Sequence, residues 1–266
     1  MERRIVLEKP VGQTPLETIE AFRKERGLPA SIPLSYAGRL DPMASGKLLV
    51  LIGEECKRQK EYTKLDKEYV VEVLLGVRTD TGDVLGHPEA TVASPSLQLL
   101  KVVLQVERGT HERAYPVFSS KTVHGKPLFL HALEGTLDSV VVPTHLETIY
   151  RINHLKTDVL LAEDLRVRVM DMLSRAPVSN EPSKALGADF RIGTIRPQWE
   201  ELLSEERDYT VLTLRIACAS GTYMRTLAER IGTGLGTYGM ALSIRRTRIG
   251  RFVPLPAGLG LWVRTS

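Results

Sequence analysis

Asp41 is the residue of this 266-residue chain best placed to do chemistry. It stands in Tyr36-Ala-Gly-Arg-Leu-Asp-Pro-Met-Ala-Ser-Gly46, between a Gly-Arg pair and a Pro-x-Ala-Ser-Gly turn, with the apolar run Leu48 to Ile52 directly behind it. The run predicts a buried strand, so the carboxylate is held on a tight loop beside it, fixed and partly dried. An acid so placed can serve as a nucleophile or as a base. Beside a turn an acid is otherwise an ordinary loop residue, and the rest of the chain has to decide between the two.

Other chemistries find little support. Gly232-x-Gly234-x-Gly236 follows a predicted helix instead of opening one, which argues against a dinucleotide fingerprint and a P-loop. Asp80-Thr-Gly-Asp83 lacks the ligand spacing and closing glutamate of a calcium loop and reads as a turn open to a charged neighbour. Cys56 and Cys218 lie far apart and, with six scattered histidines, form no zinc pattern. Both cysteines read as small core residues, and no metal is expected.

The net charge of +4, from 36 basic and 32 acidic residues, permits an anionic partner without demanding one. Its distribution says more. Eleven lysines and arginines load the first sixty residues, and Arg245, Arg246, Arg248 and Arg251 form a second group. About 6–10 phosphate contacts give strongly salt-dependent nucleic-acid binding, a number these groups meet if the fold brings them to one face. A hydrophobic fraction of 42% is that of a globular protein. There is no apolar run of membrane-spanning length and no leader pattern, so the expectation is a cytoplasmic protein without a membrane partner.

The elements that must position Asp41 are partly legible. Residues 3 to 8 predict a strand. Thr14-Pro15-Leu16-Glu17 starts a helix with a threonine cap, a first-turn proline and a glutamate to close the capping box. That helix carries Leu16, Ile19 and Phe22 on one side and stops near Gly27. Lys67 to Leu75 alternates, putting Tyr69, Val71, Val73 and Leu75 on one strand face. Tyr209 to Cys218 does the same with Leu212, Leu214, Ile216 and Cys218, and leads into a helix through Ile231. Met240 to Val253 is a last strand region. Helices are further expected over 96–106 and 127–133. Residues 157–206 resist assignment: Leu165 to Val169 fits a strand or a helix, 177–196 reads as loop, and Trp199 to Leu203 as a short helix. Strands and helices interleave irregularly, which favours an α/β protein of α+β type, with a mixed, largely antiparallel sheet flanked by helices and loops.

Four fragments, taken in order, carry a resemblance: Glu8-Lys-Pro-Val-Gly-Gln-Thr14, the Asp41 loop, Lys67-Glu-Tyr69, and Ser220-Gly-Thr-Tyr-Met-Arg225-Thr. Gly76-x-Arg-Thr-Asp-Thr-Gly-Asp83, Tyr115-Pro-Val-Phe-Ser-Ser-Lys121 and Gly125-Lys-Pro-Leu128 extend it. Together they resemble the TruB family of RNA pseudouridine synthases, which act on uridine in the T-arm of tRNA. The resemblance runs from residue 3 to about 155 and from 208 to 252. It implies the pseudouridine synthase fold and an isomerase that flips a uridine from an RNA loop, cleaves N1 from the ribose and rejoins the uracil through C5. No cofactor is implied.

By the same resemblance, the catalytic aspartate falls on Asp41, acting either as nucleophile or as the base that removes a sugar proton. Tyr69 takes the place of the tyrosine whose ring stacks on the flipped base, although an inward strand tyrosine taken alone is usually core. Arg225 takes the place of the active-site arginine, which pairs with and orients the carboxylate. Extruding a base costs a few kcal/mol, and stacking returns about 1–3 kcal/mol. Lys9, Arg39, Lys67 and Arg245 are the candidates for holding the RNA backbone.

The chain departs from the family in three places. Tyr36 replaces the usual histidine five residues before the aspartate, where an aromatic ring can still stack on RNA. Pro15 replaces a serine. Residues 157–206 form an insertion longer than the family's connection there. The reading is therefore a catalytic domain over 1–255, a tail over 256–266, no C-terminal PUA domain, and a monomer that needs no protein partner. The alternatives are a catalytically idle RNA-binding or RNA-folding factor on the same scaffold, and a synthase acting on another RNA.

Overall fold

The computed structural model describes residues 3–177, 190–255 and 260–263. The strands of its main sheet are β1 (Arg4–Lys9), β2 (Leu34–Ala37), β3 (Ala44–Ile52), β4 (Asp66–Leu75), β5 (Gly109–Ala114), β6 (Thr144–Leu161), β7 (Asp208–Cys218), β8 (Gly239–Pro254) and β9 (Gly260–Val263). They form one sheet in the order β1-β3-β8-β4-β7-β6-β5, with β2 added to β3 and β9 to β8. Every pairing is antiparallel except β3 with β8. The mixed, largely antiparallel sheet is thus as the sequence implies. The supposed tail contributes β9, which pairs Gly260 to Val263 with β8.

Among the described residues, five helices pack on this sheet: α1 (Pro15–Glu25), α2 (Leu100–Val106), α3 (Ala162–Ser174), α4 (Ile192–Leu202) and α5 (Met224–Gly234). Shorter helical turns lie at Gln59–Thr63 and Leu128–Leu133. α1 starts as its sequence dictates: the Thr14 hydroxyl accepts from Glu17 N–H, and the Glu17 carboxylate accepts from Thr14 N–H. Ile19 and Phe22 are buried, but Leu16 is half exposed and faces away from the sheet.

The sheet separates two apolar layers. On one face Tyr69, Val71, Val73 and Leu75 of β4 meet Leu212, Leu214, Ile216 and Cys218 of β7, and α5 covers them with Met224, Leu227, Ala228 and Ile231. On the other face Leu74, Val211, Met240 and Leu242 are covered by Leu165, Val169 and Leu173 of α3 and by Ile195 and Trp199 of α4. This settles the ambiguity at 165–169 in favour of a helix, because Leu165, Val169 and Met172 fall on one side and all are buried. α4 begins at Ile192, so 192–196 is helical and not loop, and Trp199 lies in its interior. Residues 178–189 of the expected loop lie outside the described residues. No helix among the described residues is long and apolar enough to cross a membrane.

Candidate active site

Asp41 sits on the loop between β2 and β3. Behind it, Leu48 and Val50 of β3 are fully buried. The loop has no partner strand for its carbonyls, so two buried cations supply the donors. Lys9, at the end of β1, donates from Nζ to the carbonyls of Gln13 (2.6 Å), Pro10 (2.9 Å) and Pro42 (3.2 Å). Arg246 of β8 donates to the carbonyls of Lys47 (2.7 Å), Gly38 (3.1 Å) and Arg39 (3.3 Å). Two glycines permit the close approaches. A Cβ on Gly46 (φ +103°) would lie 2.3 Å from the Arg246 carbonyl oxygen, and one on Gly12 (φ +87°) the same distance from that of Arg175 at the end of α3. Gly12 N–H in turn donates to Pro42 O at 3.0 Å, which ties the Lys9 turn to the Asp41 loop.

Arg225, in the first turn of α5, crosses the sheet face to meet this loop. Its Nε lies 2.8 Å from Asp41 Oδ2 and 3.8 Å from Asp83 Oδ2. Nη1 donates to Thr81 O at 2.5 Å and Nη2 to Phe118 O at 2.9 Å, so each of the three guanidinium nitrogens has an acceptor. Its side chain is only 6% exposed, whereas that of Asp41 is 37% exposed. Burial alone would lower the Arg225 pKa, but Asp41 and then Asp83 overcome it and raise it. Asp83 is buried, and desolvation pushes its carboxyl above the ordinary range against the pull of Arg225. It is anchored by Thr81 Oγ1 (2.8 Å) and Leu85 N–H (3.0 Å).

Two phenols flank the pair. Tyr69 packs among Leu40, Ala44 and Ile216 and shows 8% of its surface. It stands across from Arg246 in the β4–β8 register. Burial raises its pKa, Arg246 opposes this, and Asp41 is near enough to add to the rise. Tyr223, two residues before Arg225, is pushed up to about 12 by burial, then by Tyr115 and Asp41. Its ring meets Tyr115 and His145 edge-on, and those two stack with centroids 4.0 Å apart. Tyr223 lies within the Ser220-Gly-Thr-Tyr-Met-Arg225-Thr motif, whose residue types alone give it no part. Its place directly before the arginine's helix was the available signal.

The cations divide in a way that the sequence does not show. Arg39 is exposed two residues before Asp41, and Arg245 is exposed on β8, where it pairs with Glu8 at 3.0 Å. Lys9 and Lys67 are not on that surface. Both are buried, with Lys9 held as above and Lys67 Nζ donating to Thr63 O at 2.7 Å. Burial lowers the pKa of each to about 8: for Lys9 against the opposing pull of Asp41, for Lys67 with Arg246 adding to the fall. Both are corrected from RNA-backbone contacts to internal supports, as is Arg246, counted above in the second basic group. Tyr36 packs half-buried on Ile19, Leu48 and Val50. Among the described residues, no three ligating side chains gather as a metal site would require.

Residues 33–170, just over half of the chain, match the TruB family pseudouridylate synthase N-terminal domain. The chain belongs to the TruB family. Among curated relatives, tRNA pseudouridine synthase B of Protochlamydia amoebophila is 29% identical over 254 residues, covering 95% of this chain and 76% of the relative. The protein of the same name from Ralstonia pickettii is 29% identical over 248 residues, covering 92% of this chain but 62% of the relative. Among solved structures, a Cbf5-Nop10-Gar1 complex aligns with a TM-score of 0.54 at 20% identity, over 93% of this chain and 48% of that one. At that identity the likeness shows the fold. The TruB family match covers the Asp41 loop, Tyr69, the Asp83 turn and Phe118; Arg225 lies beyond it.

Proposed function

We propose that this protein converts uridine to pseudouridine in the T-arm loop of tRNA, at the position numbered 55 in that RNA. The observation that carries the proposal is the Asp41–Arg225 pair. A carboxylate more than a third exposed is held at 2.8 Å by a buried guanidinium whose two other nitrogens each donate to a backbone carbonyl. That arrangement orients one oxygen and leaves the other free to meet a substrate, as preorganised catalysis requires. The curated relatives carry the name of this activity.

The reaction is an isomerisation. The bond between N1 and C1′ breaks, a bond between C5 and C1′ forms, the C5 proton leaves and N1 gains one. Asp41 acts as nucleophile or as the base that takes a sugar proton, and Arg225 fixes its direction. Tyr69 and Tyr223 line the approach, where a flipped pyrimidine finds aromatic surface. Arg39 and Arg245 are the exposed cations suited to phosphates.

The test is to incubate the purified protein with unmodified tRNA transcript and to map pseudouridine chemically at nucleotide resolution. A single modified uridine in the T-loop is expected. Asp41→Asn keeps the side chain's shape and should abolish conversion while tRNA is still bound. Binding by the wild type without conversion would return the idle RNA-binding reading. Conversion at another uridine would move the substrate assignment and leave the chemistry standing.

A further inference from the structure

We infer that Arg191 is a positioning residue for the Asp41–Arg225 pair; the inference rests on reading that pair as the reaction centre. Arg191 lies immediately before α4, outside the residues matched by the family. Phe190 and Arg191 both take left-handed backbone, at φ +50° and +60°. Side chains of the L series seldom adopt this conformation unless their surroundings over-determine it. From there the Arg191 side chain reaches the turn that follows Thr79.

The contacts there converge on Arg225. Arg191 Nη1 lies 2.6 Å from Asp80 Oδ2 and Nη2 lies 3.2 Å from Oδ1, a two-pronged pair. Nη2 also reaches Leu85 O at 3.4 Å. The guanidinium carbon stands 4.7 Å from the centre of the Phe118 ring. The two segments so joined, Asp80 with its neighbours and Phe118, are those whose carbonyls hold the Arg225 guanidinium through Thr81 O and Phe118 O. Arg191 thus grips the side chain next to one acceptor and the ring of the residue that supplies the other. α4 secures the same turn elsewhere: Trp199 Nε1 donates to Val84 O at 3.1 Å, and Gln198 Oε1 lies 2.6 Å from His87 Nδ1. The direction in which Arg225 Nε–H points at Asp41 is set by those two carbonyls, and Arg191 keeps them in register.

The test compares Arg191→Ala and Arg191→Lys with Arg166→Ala, which breaks an exposed pair with Glu163 on α3. Two quantities are read: single-turnover and steady-state kinetics on tRNA transcript, and the hydrogen-exchange rate of the Arg225 Nε–H by NMR. Arg191→Ala should lower kcat by at least about ten-fold, as small misplacements at a reacting group do, with KM for tRNA unchanged. It should also speed Nε–H exchange. Arg191→Lys, which keeps the charge beside Asp80 but not the fork, should recover part of both, and Arg166→Ala should alter neither. Wild-type kcat or unchanged exchange in Arg191→Ala overturns the assignment, as does an equal loss in Arg166→Ala. If Arg191→Ala does not fold, Asp80→Asn weakens the same pair from the other side and is read by the same criteria. A wild type that makes no pseudouridine sinks the functional reading alone, because Nε–H exchange still decides this one.

Discussion

Replacing Arg225 with methionine removes the group that answers two carboxylates at once. Asp41 loses a donor at 2.8 Å but is open enough to turn to water. Asp83 has no such recourse: it is buried, and without Arg225 it keeps only the Thr81 hydroxyl and the Leu85 amide. Breaking a buried pair from one side costs about 3–5 kcal/mol, and leaving the Thr81 and Phe118 carbonyls without donors adds about 1 kcal/mol each. Proton uptake by Asp83 limits the total. Burial already holds its pKa above the ordinary carboxylate value, and Arg225 is the chief influence opposing that rise. In the variant the folded state therefore holds the Asp83 proton to a higher pH than the unfolded chain does. Stability should increase as pH falls through the folded pKa toward the ordinary carboxylate range, and be lost as pH rises through the folded pKa. Asp83→Asn removes the buried charge, so adding it to Arg225→Met should return about 0.5–3 kcal/mol relative to the sum of the single effects. Urea unfolding of the wild type, both single variants and the double variant, at neutral and acidic pH, measures this cycle. Additivity within about 0.5 kcal/mol, or a pH-independent stability for Arg225→Met, would refute the reasoning. Turnover on tRNA should be lost in Arg225→Met whatever its stability.

Lys9, with its pKa lowered to about 8, should give turnover a declining limb above that pH, because a neutral amine has two N–H donors for the three carbonyls it holds. The pH–rate profile shows the limb, and a flat profile to pH 9.5 would deny it. Stability carries the opposite sign: between about 8 and 10.5 the unfolded chain binds more protons than the folded one, so folding should become more favourable with rising pH. Arg245→Ala should weaken tRNA binding and reduce the salt slope by about one, read from affinity at several salt concentrations, while the buried Lys67 makes no such contribution. Gly12→Ala forces a methyl toward the Arg175 carbonyl at 2.3 Å in a left-handed conformation. Loss of stability and turnover together is expected, and wild-type kinetics would show that the Lys9 turn does not support the Asp41 loop.

What could be read in advance had a local cause. β4 and β7 alternate cleanly because each presents one face to α5, and α1 carries its own capping box. The middle of β6 is not legible because residues 153–157 are all exposed, which leaves no apolar face there to set a period of two. Arg246 and Lys9 were misplaced for a different reason. Long cations are seldom fully buried, and the carbonyls that bury the Arg246 side chain belong to residues up to 208 positions away. No spacing rule reaches that far. Likewise Asp80 was legible as a turn open to a charge, but not that the charge would be Arg191, 111 residues on.

The misplaced cations explain the loop that holds the reactive acid. An irregular loop at a sheet margin leaves its carbonyls without partners, and each unpaired one costs stability. Neutral donors would satisfy them equally well as hydrogen bonds. Lys9 and Arg246 add positive charge behind Asp41 without touching it, and Lys67 adds more from β4. The same atoms that stiffen the loop therefore set a positive field where a polyanionic substrate must descend. The cost is visible in the two lysines, whose burial brings deprotonation within reach of mildly alkaline pH. Arg246 makes the equivalent bonds with a group that does not deprotonate in proteins, so rigidity at the Gly38–Lys47 end should persist in alkali while the Pro42 end loosens first.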